Sequence, residues 1–223
     1  HMHNCDLVNM DDMLQNGTVI TGTTIDKPKL FSTACNITTQ VIAQVASVQY
    51  GGQTVNIGDL VPFVDVSRQR FKAHVLDELA MTNTEMSEED IDRVVEVRVL
   101  RDVKRGVKLM QYQVLTLMTT NGQTPFITMV LDITSVPECQ QEDAAIVFEE
   151  ILRQRIRGVK NKQGVWVTPA FPKLVYILDE CNVREESKFW YLTELAAECT
   201  AKRMVPDYIS AKIMRELKGD VYP

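Results

Sequence analysis

Residues 126–133, FITMVLDI, form a strand-length run of mainly apolar residues. Such a run predicts a parallel strand that is buried on both faces, since a half-exposed strand would alternate apolar and polar residues. A second run of this kind, KLVYIL, occupies residues 173–178. Because long helical patterns separate these runs from one another and from the chain ends, the sequence predicts an α/β architecture.

Three long helices are predicted from apolar residues that recur every three or four positions. The first covers residues 32–48 and ends before Tyr-Gly-Gly at 50–52. The second covers residues 59–80, and its expected inward residues are Phe63, Phe71, Val75 and Leu76. The third follows a capping-box-like start at Ser87 and runs to about residue 117. Shorter helices are predicted over residues 6–15, 143–157, 187–202 and 210–217.

Composition restricts the class of protein without identifying it. The chain has 223 residues, of which 45% are hydrophobic, and this suits one large globular domain or two small ones. Its formal net charge of −6 gives no general attraction to nucleic acid or to an anionic membrane, so neither partner is expected. No apolar run reaches the roughly 18 residues of a membrane-spanning helix, and no signal peptide is visible. We therefore expect a cytoplasmic protein with reduced cysteines, since the 5 cysteines include no CxxC pair.

The motifs of conventional enzymes are missing from the sequence. It contains neither the phosphate-binding GxxxxGK[ST] motif nor GxGxxG, and no set of residues has the spacing of a metal site. His74 is the only histidine after residue 3, and it is interpreted as a surface residue rather than a catalyst. Hydrolase, kinase and dehydrogenase functions are therefore not supported, whereas radical chemistry on a cysteine needs few polar catalysts and stays open.

Several segments together carry a resemblance to a known family. They are residues 4–8 (NCDLV), 25–34 (IDKPKLFSTA), 40–54, 111–126, 151–158 (ILRQRIRG), 171–175 (FPKLV) and 202–210 (KRMVPDYIS). In combination they resemble the anaerobic ribonucleotide reductases, which are glycyl-radical enzymes. The resemblance extends over essentially the whole chain.

This resemblance implies a fold and a reaction. The implied fold is α/β, part of the ten-stranded α/β barrel of glycyl-radical enzymes, with long flanking helices. The family reduces ribonucleoside triphosphates to deoxyribonucleotides. A stored glycyl radical produces a cysteine thiyl radical, which abstracts the substrate 3′ hydrogen, and the 2′ hydroxyl leaves as water. Formate is the terminal reductant in many members.

Two residues fall on the family's catalytic positions. Cys5 matches the second cysteine, which donates hydrogen from the other face of the substrate, and a thiol suits this role because its S–H bond is weak. Asn4 falls where the family has a residue that lines the substrate or formate pocket. From residue chemistry alone, Cys5 would be a small buried hydrophobe and Asn4 a turn or cap residue, and both alternatives stay open.

Three further residues fall on positions that resemble the family's effector site, where a nucleotide selects which base is reduced. Asp26, Lys29 and Gln40 offer a carboxylate, an ammonium and an amide, which differ in their hydrogen-bonding capacity. Asp26 stands where the family pattern has Glu, so its side chain is shorter by one methylene. The alternative is a set of solvated charges near a helix N-terminus. A basic series (Arg98, Arg101, Lys104, Arg105 and Lys108) could hold effector phosphates, although a solvated helix face is favoured.

The resemblance also implies what lies outside this chain. Residues 1–2 are interpreted as a vector remnant, and 3–223 as the N-terminal portion of the catalytic barrel. The parent is expected to add an ATP cone, a Cys-Met-Gly-Cys-Arg stretch with the thiyl cysteine, and a C-terminal region with the glycyl radical and a structural zinc. The chain alone is therefore expected to be inactive. Cys35, Cys139, Cys181 and Cys199 match no catalytic position and are interpreted as structural.

The expected partners of the parent are a ribonucleoside triphosphate, a deoxynucleoside triphosphate effector, a second subunit in a homodimer, and an activase with S-adenosylmethionine and an iron–sulfur cluster. Two alternatives stay open. The chain could be a nucleotide-sensing dimerisation module without chemistry, or it could belong to another glycyl-radical enzyme related to formate lyase.

Overall fold

A computed structural model of the chain describes residues 5–48, 51–117, 122 and 124–219. Its strands are β1 (Cys5–Leu7), β2 (Thr18–Ile20), β3 (Thr23–Ile25), β4 (Gly52–Asn56), β5 (Phe126–Leu131), β6 (Val159–Lys160), β7 (Trp166–Val167), β8 (Lys173–Leu178) and β9 (Asp207–Ser210). Its α-helices are α1 (Met10–Gln15), α2 (Phe31–Val48), α3 (Pro62–Thr82), α4 (Glu88–Thr116), α5 (Gln141–Arg157), α6 (Trp190–Arg203) and α7 (Ala211–Lys218).

Five of the strands form one parallel sheet in the order β1-β4-β5-β8-β9. The strands of this sheet therefore follow one another in chain order, with helical crossovers between them. Because such crossovers are almost always right-handed, successive crossovers in a sheet of this order return on the same side. The remaining strands form two small antiparallel hairpins, β2-β3 and β6-β7.

The two sides of the sheet have different environments, since successive side chains of a strand point to opposite sides. Val55, Ile127 and Leu174 lie on the side of the long helices and are at most 1% exposed. Their neighbours Thr54 and Lys173 are half-buried and exposed on the other side. We call this other side the open face. It is defined by Cys5, Leu7, Gly52, Thr54, Phe126, Thr128, Lys173 and Val175.

Helix α7 covers one end of the open face. Ala211, the first residue of α7, packs with Val130 and Ile177 in a small apolar cluster that is separate from the main core. Arg215 in α7 forms an ion pair of 2.9 Å with Asp179, which follows β8. The carboxyl ends of the strands are therefore partly closed, whereas the amino ends, where Cys5 lies, are exposed.

The predicted α/β class, with a parallel sheet and long flanking helices, is confirmed. Helices α2, α3 and α4 match the three long helices predicted, and Ser87 caps α4 by accepting the Asp90 N–H at 3.2 Å. The prediction that Leu76 faces inward was wrong, since Leu76 is 48% exposed. Its neighbour Val75 is 3% exposed and occupies the buried side of α3.

The predicted helix over residues 6–15 was correct only from Met10 onward. Residues Cys5–Leu7 instead form β1, which pairs with β4. The sequence pattern also did not predict β4 or β9, and the helix expected from residue 187 begins at Trp190. The hydroxyl of Ser187 donates to the Glu180 carbonyl at 2.9 Å, so this residue fixes the preceding loop rather than capping the helix.

Asp59 is a partly buried carboxylate in the 3-10 turn Ile57–Leu60, before α3. Burial and the nearby charge of Asp11 raise its pKa from 3.8 to about 6, although the N–H groups of Asp11 and Met10, at the start of α1, partly oppose this. A carboxylate at a helix N-terminus normally gains from such contacts. Here the loss of solvation is larger, so folding raises the pKa of Asp59 instead of lowering it.

We expect Asp59→Asn to stabilise the protein at pH 7 but not at pH 4. The pKa of Asp59 is higher in the folded chain than in the unfolded chain. The contribution of Asp59 to the free energy of unfolding is therefore fully present below about pH 4 and is lost as the pH rises through about 6. The free energy of unfolding of Asp59→Asn, minus that of the wild type, should rise by about 1–2 kcal/mol between pH 4 and pH 7. This is less than the full effect of the pKa shift, because Asp59 is partly exposed and solvent screens its charge. Urea denaturation measures this difference. Asp77→Asn, at an exposed position of α3, is the control for removing one carboxylate. A flat Asp59→Asn difference would contradict the expectation.

Candidate functional site

Cys5 lies at the exposed amino end of the parallel sheet. It is the first residue of β1, where it stands in register with Gly52 of β4, which in turn stands in register with Phe126 of β5. A Cβ atom added to Gly52 would lie 3.8 Å from the Cys5 Sγ and 3.8 Å from the Phe126 ring. The absence of a side chain at Gly52 therefore leaves a notch between the thiol and the aromatic ring.

An aromatic pair forms the far side of this notch. The rings of Phe126 and Phe171 have centroids 4.5 Å apart at an interplanar angle of 60°. Phe126 is 54% exposed, so the apolar surface beside the thiol is accessible from the open face. The arrangement can place a small or planar group against the aromatic rings within reach of an S–H hydrogen donor.

The second predicted catalytic residue, Asn4, lies outside the described residues. The remaining cysteines differ in exposure: Cys139 is exposed, Cys181 is half-buried, and Cys35 and Cys199 are buried. Burial raises the pKa of Cys199 to about 11 and that of Cys35 well above its ordinary value, with a further contribution from Asp102 at Cys35. The two buried thiols are therefore held in the protonated form.

The predicted effector residues lie on or just before α2. Asp26 and Lys29 are exposed in the loop that joins β3 to α2, and Gln40 is exposed on the outer side of α2. Gln40 lies about 14 Å along the helix axis from Phe31, the first residue of α2. Asp26 and Lys29 are thus close to each other in the chain, whereas Gln40 lies about two and a half helical turns beyond the start of α2.

Gln40 lines a groove of about 270 Å³ between α2, the end of α4 and the β2-β3 hairpin. The other lining residues are Ile20, Thr39, Ala43, Gln44, Ser47, Gln113 and Leu117. The walls combine amide and hydroxyl groups with a few apolar side chains. Such a mixture suits a flat, polar-edged ligand, since apolar faces and polar edges both find partners there.

Gln113 is a groove residue that the sequence reasoning missed. Its Nε2 donates to Asn36 Oδ1 at 2.7 Å, and its Oε1 accepts from the Thr39 hydroxyl. These bonds fix the orientation of the Gln113 amide at the groove wall. Gln113 belongs to a segment that carried the family resemblance, but nothing in its spacing indicated that it would meet α2 across 70 residues of chain or more.

The basic series on α4 points away from the core. Arg98 pairs with Glu78 of α3 at 2.8 Å. The side chains of Arg101, Lys104, Arg105 and Lys108 are exposed, and the Lys108 Nζ lies 5.4 Å from the centre of the Tyr112 ring. His74 is likewise exposed on α3. A solvated helix face accounts for these positions.

Within the described ranges, no group of three or more His, Cys, Asp or Glu side chains could hold a metal ion. No helix in the same ranges has the length and apolarity needed to cross a membrane.

Comparisons with known proteins agree on one family. The family model described as anaerobic ribonucleoside-triphosphate reductase matches residues 1–222. The anaerobic ribonucleoside-triphosphate reductase of Escherichia coli is 36% identical over 213 residues, which are 94% of this chain and 28% of that protein. The enzyme of the same name from Enterobacteria phage T4 is 34% identical over 223 residues, 99% of this chain and 34% of that protein. The chain thus spans about a third or less of these relatives.

Solved structures agree on the fold. The crystal structure of the anaerobic ribonucleotide reductase from Thermotoga maritima in complex with dATP and CTP matches 96% of this chain and 34% of that chain, with a TM-score of 0.62. A second structure of the Thermotoga protein, with dATP bound in the specificity site, gives the same TM-score of 0.62. Sequence identity to these structures is 12–13%, so this comparison concerns the fold alone.

Thiol labelling tests where the cysteines lie. We expect a maleimide to modify Cys5 and Cys139 rapidly in the folded chain, since both are exposed. Cys35 and Cys199 should react only after unfolding, because reagent access is blocked and the reactive thiolate is suppressed. Mass spectrometry of labelled peptides measures this. The control Cys139→Ser should lose one rapid site and retain that of Cys5, and protection of Cys5 equal to that of Cys35 would contradict its placement.

Proposed function

The chain belongs to the anaerobic ribonucleoside-triphosphate reductase family, and we propose that it is the part of the catalytic core that carries the hydrogen-donating cysteine and a nucleotide-effector site. Its parent would convert a ribonucleoside triphosphate, formate and a proton to the deoxyribonucleoside triphosphate, carbon dioxide and water. Formate supplies the two electrons of this reduction. That assignment rests on the family resemblance.

In this proposal Cys5 donates hydrogen to the substrate. The Cys5 S–H bond breaks while a C–H bond forms at the carbon that has lost the 2′ hydroxyl as water, which leaves a sulphur radical. Formate returns a hydrogen atom to this sulphur, and its second electron, with a proton from solvent, completes the reduction of the substrate as carbon dioxide is released. A glycyl radical of the parent supplies the one-electron chemistry that starts the reaction. The parent is further proposed to hold a structural zinc, to be activated by an S-adenosylmethionine iron–sulfur activase, and to act as a cytoplasmic homodimer in deoxyribonucleotide supply for DNA replication.

The observation that carries the proposal is the position of the Cys5 thiol on the open face, beside the notch at Gly52. The thiol is exposed, unlike that of Cys35 or Cys199, so it can reach a bound molecule. The long helices fill the opposite side of the sheet and α7 covers only one end of the open face, which leaves the end with Cys5 accessible to a substrate. The exposed ring of Phe126 offers apolar surface for part of that substrate.

A substitution at Cys5 tests the catalytic role. In an active reductase that contains this sequence, we expect Cys5→Ala to abolish formation of deoxyribonucleotide from CTP, because Cys5 carries the only thiol among the described residues that define the open face. The matched control is Cys139→Ala, an exposed cysteine away from the notch, which should retain activity. Chromatography of the nucleotide products measures both. Undiminished turnover by Cys5→Ala would exclude the role.

The 223-residue chain by itself is proposed to be inactive, since its sequence contains no Cys-Met-Gly-Cys-Arg stretch. Incubation with activated radical machinery, formate and CTP should give no dCTP. Turnover by the isolated chain would contradict this part of the proposal.

A second candidate function is a nucleotide-binding dimerisation module without chemistry of its own. The exposed positions of Asp26 and Lys29, together with the groove at Gln40, favour effector binding by this chain. We expect dATP or dTTP at about 100 times its Kd to raise the free energy of unfolding by about 2.7 kcal/mol, which a melting curve detects. Asp26→Ala should reduce the shift. Absence of any shift in the wild type at saturating nucleotide would argue against the effector site.

A further inference from the structure

Helix α2 begins without a capping side chain of its own. The residue before its first position is Leu30, which has no hydrogen-bonding side chain. The Leu30 carbonyl accepts the N–H groups of Thr33 and Ala34, at 3.1 and 3.0 Å, and so starts the helical ladder. The amides of Phe31 and Ser32 still need acceptors, because the first N–H groups of a helix have no partner within it.

Two other helices supply these acceptors. Ser67 of α3 accepts the Phe31 N–H at its Oγ at 2.7 Å, and Asp102 of α4 accepts the Ser32 N–H at its Oδ2 at 3.3 Å. The Ser67 hydroxyl in turn donates to the Asp102 Oδ2 at 2.9 Å. We call Ser67 and Asp102 the trans cap of α2. A carboxylate at this place also interacts favourably with the positive end of the helix.

The trans cap is buried where three helices meet. Phe31, Ser67 and Asp102 are 0%, 1% and 7% exposed. Close packing encloses it, since a Cβ added to Gly106 of α4 would lie 2.9 Å from the Phe31 ring. Hydrogen bonds in such a dry environment are strong, and losing one partner leaves a buried group unsatisfied.

The loop before α2 is held at both of its ends. At one end, Ile25 pairs with Thr18 in the β2-β3 hairpin. Gly17 approaches the Ile25 carbonyl so closely that an added Cβ would lie 2.8 Å from that oxygen. At the other end is Phe31 with the trans cap. The exposed Asp26 and Lys29 lie between these two fixed points.

We propose that Ser67 and Asp102 are positioning residues for the nucleotide effector: they fix the first turn of α2 and with it the loop that presents Asp26 and Lys29. Neither residue touches the nucleotide. This role rests on the effector site proposed above and adds the residues that hold it in a binding-competent geometry. Because preorganisation reduces the ordering that a ligand must impose, loss of the trans cap weakens binding without removing any ligand contact.

Calorimetric titration of the full chain with dATP and with dTTP tests this role. We expect Ser67→Ala to raise the Kd about fivefold to tenfold, in line with one buried hydrogen bond that no longer orders the loop. The Asp102→Asn variant keeps an oxygen acceptor, so its Kd should lie between those of the wild type and Asp102→Ala. This partial rescue is expected because the Asn amide oxygen can still accept the Ser32 N–H, whereas Ala has no acceptor.

Hydrogen exchange provides a readout that needs no nucleotide. In Ser67→Ala, the amides of Phe31 and Ser32 should exchange on the order of tenfold faster or more, together with those of the preceding loop. The matched control is Val95→Ala, a 2% exposed residue two turns earlier on α4, which lowers stability by leaving a cavity but spares the trans cap. It should leave both the Kd and this local exchange unchanged.

The outcomes separate the two proposals. If the wild type binds nucleotide and Ser67→Ala binds equally well, or if Val95→Ala weakens binding as much, the positioning role is overturned while the effector site stands. If the wild type binds neither dATP nor dTTP, the effector function fails, and the positioning role fails with it.

Discussion

The structure depends on the pairing of parallel strands in chain order. Each strand adds to the edge left by the previous one, so every crossover helix returns on the same side of the sheet. That side becomes the core, with Val55, Ile127 and Leu174 fully covered. The exposed thiol of Cys5 lies on the other side, the open face. The placement of the candidate catalytic residue thus follows from strand order.

The long helices were predictable from the sequence because many apolar contacts repeat along each of them. The strands of the sheet were only partly predictable. Strands β5 and β8 are mainly apolar runs, whereas β4 (GQTVN) begins with a glycine and has Val55 as its one large apolar residue, and β1 has only three residues. Such short segments form strands because they pair with neighbouring strands, and the local sequence carries no signal of that pairing.

The candidate sites show the same division between local and tertiary information. Cys5, Asp26, Lys29 and Gln40 were identified because they lie in segments that resemble a family. Gln113, Ser67 and Asp102 were not, since their partners are between 35 and 77 residues away in the chain. Helix α2 also connects the loop of Asp26 and Lys29 with the strand beside Cys5. Its first turn adjoins this loop, and the strand that follows the helix brings Gly52 beside Cys5.

The trans cap of α2 has a consequence for how this protein can evolve. Most helices carry their cap in the adjoining residue, so a single substitution repairs or removes it. Here the cap is divided between α3 and α4, so a substitution at position 67 changes how much the residue at position 102 contributes to stability. Substitutions at these two positions are therefore coupled rather than additive. Among related sequences, the residues at positions 67 and 102 should therefore be conserved or substituted together, and their covariation would reveal this contact between the helices.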